Sequence, residues 1–120
     1  VKTIRAAAED IKNGTSICIF PEGTRPKGVS ELEMLPFRKG SFKIATKTNC
    51  PIVPIALCST SKIFEDHLPR IKPAHVTLEY GRPIYPESLS KEEKRNLEQY
   101  TQDVILHMLK KNSSENAAVQ

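Results

Sequence analysis

The sequence predicts an α/β fold in which helices cover a layered mixed sheet, and three observations lead there. Apolar residues recur at helical spacing near both ends of the chain and in its middle; short β-branched runs of strand length lie between them; and proline, glycine or asparagine bounds the runs. The resulting order is helix, strand, helix, strand, strand, helix. At 120 residues, 38% of them hydrophobic, the chain has room for one modest core and not for two ordinary domains.

Ile4, Ala7, Ala8 and Ile11 form the first helical stripe, and Asn13-Gly14 supplies its stop. Thr15 to Phe20 is compact and β-branched. Ile17, Cys18, Ile19 and Phe20 fill both parities, so this run reads as a strand buried on both faces and ended by Pro21. Glu22 to Pro36 holds turn residues and charges without a sustained period, which predicts a long loop with one helical turn around Leu32. Arg38 to Asn49 returns to helix, with Phe42, Ile44 and Ala45 inward and Lys39, Lys43 and Lys47 on one outward stripe. Ile52 to Leu57 is a second strand, in which Pro54 lacks a ladder donor and marks an irregularity or an edge. After a connection from Ser59 to Pro73, Val76, Leu78 and Tyr80 alternate with Thr77 and Glu79 in a third strand, closed by Gly81 and more exposed on one face than the others. Ser90-Lys91-Glu92-Glu93 fits a capping box. It opens a helix carrying Leu97, Tyr100 or Thr101, Val104, Met108 and Leu109 and closing near Lys110 and Lys111. Residues 1–111 read as one folded unit and residues 112–120 as a flexible polar tail.

Composition excludes several classes. A net charge of +4 favours anionic partners only weakly, but Arg25, Lys27, Arg38, Lys39, Lys43 and Lys47 are opposed locally by Glu31 and Glu33 alone. No aromatics interleave with these cations, so nucleic acid is not expected as a partner. Cys18, Cys50 and Cys58 lack the paired spacing of a zinc or thiol-redox motif and read as small packing residues in a reducing compartment. No metal is expected. No apolar run reaches the 18 residues of a bilayer span, and no signal peptide is present. The helical pattern is already under way at Val1, which reads as a sequence preceded by further residues.

Glu22-Gly23-Thr24-Arg25, just beyond the first predicted strand, is the candidate site. The planar guanidinium of Arg25 can grip a phosphate through two charge-assisted hydrogen bonds. Gly23 lets the backbone turn sharply or approach a ligand, and Thr24 can donate a hydroxyl. Glu22, acceptor-only when ionised, instead suits orienting Arg25 or accepting from loop amides or a substrate hydroxyl. On residue types alone, an ordinary turn with Glu22 and Arg25 paired across it explains the same four residues.

Phe20-Pro21-Glu22-Gly23-Thr24-Arg25 resembles the signature block of the glycerol-phosphate and lysophosphatidic acid acyltransferases. Pro36-Phe37-Arg38-Lys39-Gly40-Ser41-Phe42 and Ile52-Val53-Pro54-Ile55 resemble two later segments of that family. The likeness is dense from about Ile17 to Leu57. It implies the C-terminal part of a glycerolipid acyltransferase-like α/β domain, incomplete at the N-terminus, with Glu22, Gly23, Thr24 and Arg25 in the phosphate-binding part of the acceptor site. Lys39, near a helix start, adds positive potential there or else solvates a helix face. Lys43, Lys47 and Lys27 rank lower, as contacts with an anionic membrane surface, and Arg38 is read as lying over Phe37 with its charge in water.

The implied reaction moves an acyl group from acyl-CoA or acyl carrier protein, as substrates and with no cofactor, to lysophosphatidic acid, giving phosphatidic acid. Glycerol 3-phosphate as acceptor, or a noncatalytic phospholipid- or anion-binding relative, are the alternatives. Relatives act at a membrane, so membrane association with the site on the cytoplasmic side is implied. The family's base is a histidine followed, after four residues, by an aspartate. Here His67, His75 and His107 are followed at that spacing by Lys72, Tyr80 and Asn112. No catalytic residue is therefore assigned within these residues, and the chain alone is expected to be inactive.

Overall fold

A computed structural model describes residues 2–24, 30, 32–63, 66 and 68–119. Helix α1 spans Lys2–Lys12, α2 Lys39–Thr48, α3 Lys91–Arg95 and α4 Leu97–Val119; strands β1 and β2 are Ile55–Cys58 and Thr77–Tyr80. Single helical turns of the tighter kind occupy Thr60–Ile63 and Pro86–Ser88.

Helix α1 ends where its sequence provides. Gly14 takes φ +90°, the Gly14 amide donates to the Ile11 carbonyl at 3.0 Å, and the Thr15 amide reaches back to Asp10 at 2.9 Å. Those two bonds satisfy the last carbonyls in the left-handed glycine stop. α1 packs on α2, which buries Phe42, Ile44 and Ala45 as its periodicity requires. The capping box is formed in both directions: Ser90 Oγ accepts from the Glu93 amide at 3.1 Å, and the Glu93 carboxylate accepts from the Ser90 amide at 3.2 Å.

The two strands pair antiparallel, Ile55 opposite Tyr80 and Leu57 opposite Leu78. The ladder lapses at Val53 and Pro54 and resumes in a bridge between Ile52 and Ile84. Proline's missing amide hydrogen explains the gap, while its carbonyl still accepts from Gly81 at 2.8 Å. One sheet face, with Ala56 and Cys58 fully buried, packs on Met108 and Leu109 of α4. Phe37, Phe42, Ile84 and Leu97 form a second cluster, and Met34, Val104 and Ile105 pack against both. α4 is thus the spine shared by the sheet and the loop region.

The opposite sheet face is apolar and exposed: Ile55 is 37% accessible, Leu57 42%, Leu78 49% and Tyr80 68%. The third strand therefore does expose one face, but it is the face carrying Leu78 and Tyr80. The predicted strand from Thr15 to Phe20 departs further. Its residues have no ladder partners among the described residues, and all are exposed, including Phe20 and Cys18. A strand is defined by its neighbours, and the partners that this composition calls for are not among the described residues.

The stretch read as a polar tail is instead the end of α4. Asn112 and Asn116 are buried there. Asn116 accepts from Thr77 Oγ1 at 2.6 Å and donates to Ser59 Oγ at 3.2 Å, while Asn112 donates to Glu79 at 3.3 Å. Their polarity suggested solvent; it serves to satisfy buried groups of β2 and its surroundings.

Lys111 Nζ lies 2.6 Å from Glu79 Oε1 and, with Asn112 and the more distant His107, holds that carboxyl below its ordinary value. A lowered carboxyl pKa adds stability above the unfolded value and loses it as pH falls through the folded one. Stability is thus expected to decline below about pH 4.5, the ordinary value for this group. Lys111→Met should flatten that part of the curve, read as urea midpoints between about pH 3 and 6.

Gly81 provides a sharper test of packing. A Cβ there would stand 2.7 Å from Pro54 Cγ and 3.1 Å from Met108 Sδ, against a closed ring and a core side chain. Gly81→Ala is expected to cost about 1–3 kcal/mol. Gly40→Ala, with nothing within 4 Å in α2, should stabilise by about 0.5–1 kcal/mol. Urea unfolding of both variants checks the opposite signs.

Candidate functional site

The site is built on a turn after the extended segment. The Gly23 amide donates to the Phe20 carbonyl at 3.1 Å, and Gly23 adopts φ +74°, the left-handed conformation that favours glycine. Two long-range bonds hold this turn against residues 35–38. The Pro21 carbonyl accepts from the Arg38 amide at 2.9 Å, and Glu22 Oε2 accepts from the Leu35 amide at 2.8 Å. Glu22, half-buried, is therefore occupied as an acceptor for a backbone amide and shapes the loop; its charge is unsuited to touching a phosphate.

Arg38, exposed as the sequence suggests, also approaches the loop. Its Nε and Cζ lie 2.7 and 2.8 Å from where a Cβ on Gly23 would stand. The guanidinium thus covers the glycine of the loop. Phe37 is engaged elsewhere: its ring stacks on Phe42 at a centroid separation of 6.2 Å and is buried in the cluster with Ile84 and Leu97. A basic pair at a helix start gives no sign of which cation turns back to a loop fifteen residues earlier; the close approach permitted by Gly23 decides it.

Lys39 takes another direction. Its Nζ lies 3.6 Å from Glu98 Oε1 in the first turn of α4, with the lysine side chain 69% exposed. Thr24 is exposed, and Arg25 lies outside the described residues, as does His67. Among the described candidates, then, Glu22 and Gly23 come together with Arg38, and Lys39 is turned towards α4.

The loop's support reaches α4 through Gln102. Gln102 Oε1 accepts from the Phe37 amide at 3.3 Å, and its Nε2 donates to the Leu35 carbonyl at 3.2 Å. Elsewhere, a cleft of about 780 Å³ between the end of β2, the Pro86 turn and α4 is lined by Tyr80, Tyr85, Tyr100 and His107 and includes none of the candidate residues. Among the described residues no group of three or more histidine, cysteine or acidic residues could hold a metal, and no helix is long and apolar enough to cross a membrane. Asp66 accepts from Ser61 Oγ at 3.2 Å, and the Cys58 thiol donates to the Leu109 carbonyl at 3.8 Å.

The chain has counterparts among known proteins. The Acyltransferase family model matches residues 1–58, which take in the turn, Arg38 and Lys39. The chain superposes on the crystal structure of the 1-acyl-sn-glycerophosphate (LPA) acyltransferase PlsC from Thermotoga maritima with a TM-score of 0.75 and 32% identity, over 92% of this chain and 44% of that one. The chain belongs to the 1-acyl-sn-glycerol-3-phosphate acyltransferase family. Family members from Cocos nucifera and from Saccharomyces cerevisiae are 37% and 32% identical to it, over 77% and 92% of this chain but 29% and 36% of theirs. The family member of Escherichia coli K12 is 32% identical over 78% of this chain and 36% of its own. The chain thus spans less than half the length of these relatives. Its α/β fold, a small sheet with surrounding helices, is the fold of the Thermotoga maritima family member over the shared part.

Proposed function

We propose that the protein is a 1-acyl-sn-glycerol-3-phosphate O-acyltransferase and that residues 20–39 hold the phosphate of its acceptor. The observation that carries this reading is the glycine turn pinned at Pro21 and Glu22, with the Arg38 guanidinium against Gly23, in a chain of this family. Two guanidinium groups, Arg25 following the turn in sequence and Arg38 beside it, supply positive charge and planar donor forks. Gly23, lacking a side chain, lets the Arg38 guanidinium lie against the turn, and Thr24 adds a hydroxyl donor. Lys39, whose partner Glu98 leaves it largely in water, contributes long-range attraction to the acceptor's anionic headgroup.

Acyl transfer then needs a base. The free hydroxyl of lysophosphatidic acid loses its proton to a histidine oriented by an aspartate, and its oxygen attacks the thioester carbonyl of acyl-CoA or acyl carrier protein. The tetrahedral adduct collapses with cleavage of the carbon–sulfur bond, the thiol leaves with the proton, and phosphatidic acid remains. None of the histidines in these 120 residues has an acidic residue at the family's spacing, and none of them is assigned as that base. Gripping the phosphate sets the distance from hydroxyl to base, which is the contribution of this part of the protein to rate. The enzyme works at a membrane surface, with its site on the cytoplasmic side.

The test is an acyl-transfer assay on the full-length protein in mixed micelles, with lysophosphatidic acid or glycerol 3-phosphate as acceptor and acyl-CoA or acyl carrier protein as donor. Phosphatidic acid formed in equal amount with free thiol is the expected result. Transfer only to glycerol 3-phosphate would move the assignment to that acceptor. No transfer with any combination, while phosphate or phospholipid still binds, would make the protein a binding relative without turnover.

A further inference from the structure

We infer that Gln102 is a positioning residue for the acceptor phosphate, acting through the backbone of residues 35–38. This rests on the acyltransferase reading above. Gln102 uses both ends of its carboxamide on one short segment: Oε1 takes the Phe37 amide at 3.3 Å and Nε2 reaches the Leu35 carbonyl at 3.2 Å. That segment holds the turn from the other side, because the Leu35 amide donates to Glu22 and the Arg38 amide donates to the Pro21 carbonyl. Leu35 is therefore gripped twice, by Gln102 through its carbonyl and by Glu22 through its amide. The chain of contacts runs from α4 through Gln102, residues 35–38 and Pro21-Glu22 to Gly23, with the Arg38 side chain closing it.

Glu98, one turn earlier on α4, faces Lys39 at 3.6 Å, so Glu98 and Gln102 form one stripe directed at the start of α2 and the segment before it. The neighbouring stripe, with buried Leu97 and Met108, is fixed in the core. A rigid helix thereby sets the height of residues 35–38, and these set the turn. Side chains that hold a ligating group from behind act on placement more than on affinity for the chain's own fold. An apolar side chain of the same length leaves two half-buried backbone groups without their partner and frees the segment to shift.

The experiment uses the full-length protein with Gln102→Met, which preserves length and volume, and Gln102→Glu, which retains the acceptor for Phe37 but loses the donor to Leu35. Amide exchange and acyl-transfer kinetics are read together. The expected result for Gln102→Met is faster exchange confined to residues 20–24 and 35–38, and a KM for lysophosphatidic acid raised about 3- to 10-fold with the KM for acyl-CoA unchanged; Gln102→Glu falls between this variant and the unsubstituted protein. Unchanged exchange and unchanged acceptor KM would overturn the inference. So would exchange rising throughout α2, β1 and α4 with both KM values, which is the signature of a merely structural side chain. If the unsubstituted protein transfers nothing, the acyltransferase reading fails separately, and the exchange at residues 20–24 alone decides whether Gln102 positions the turn.

Discussion

Replacing Arg25 by alanine in the full-length protein is expected to lower kcat/KM for lysophosphatidic acid about 100-fold. Each hydrogen bond between a charged donor and an anionic acceptor contributes roughly 1.5–3 kcal/mol net, and a guanidinium presents two in parallel. Part of this is offset, since Arg38 remains beside Gly23 and water re-enters. A net loss of about 2.7 kcal/mol corresponds to the 100-fold effect. On the proposed reading the phosphate is remote from the bond being formed, yet its capture would orient the hydroxyl, so the defect should appear in kcat as well as in the acceptor KM. The donor KM should not change. Arg25→Lys should restore only a small part, because an ammonium keeps the charge but not the planar fork. Steady-state kinetics with each substrate varied separately checks this, and a change in kcat/KM within about threefold would remove Arg25 from the site.

The second large effect lies in the core. Leu97 is 2% accessible and packs with Phe37, Phe42 and Ile84 at the point where α4 begins. Leu97→Ala is expected to cost about 2–5 kcal/mol, through lost transfer free energy plus a cavity that α4 and α2 cannot fully close. That is a large share of a typical domain's total of about 5–15 kcal/mol. Leu97→Met, close in volume, should cost less than about 1.5 kcal/mol. Urea unfolding at neutral pH separates the two. Phe37 lies within the segment on which the turn rests, so Leu97→Ala should also loosen residues 35–38, in contrast to Gly81→Ala, whose strain falls between Pro54 and Met108.

What could be read in the sequence was mostly local. The stop at Gly14, the inward residues Phe42, Ile44 and Ala45, the break at Pro54 and the Ser90 capping box all depend on interactions within a few residues. Backbone geometry and helical period decide such features, so residue order suffices. The six residues Phe20 to Arg25, with the later Pro36 to Phe42 and Ile52 to Ile55 segments, were enough to suggest the family, since a family block is a local pattern too.

Features that depended on distant partners were not legible. Ile17, Ile19 and Phe20 have the composition of a buried strand, but burial belongs to whatever packs against them, and here they are 37%, 41% and 80% exposed. Asn112 and Asn116 look like a solvated tail, yet α4 lies along the sheet and brings them to Thr77, Glu79 and Ser59. The choice between Arg38 and Lys39 at the loop was likewise closed to local reading, for neighbouring cations differ only in where the helix start aims them.

The sequence by itself determined α1, α2 and the capped start of the last helical region, the turn at Gly23 and the family. Tertiary structure alone decided which cation meets Gly23, what Glu22 is bonded to, and that Gln102 on α4 braces residues 35–38. The physical reason is range. Propensity and capping act over one turn of chain, whereas the site is assembled by hydrogen bonds between residues up to 67 positions apart, whose geometry exists only once the core around Leu97 has closed.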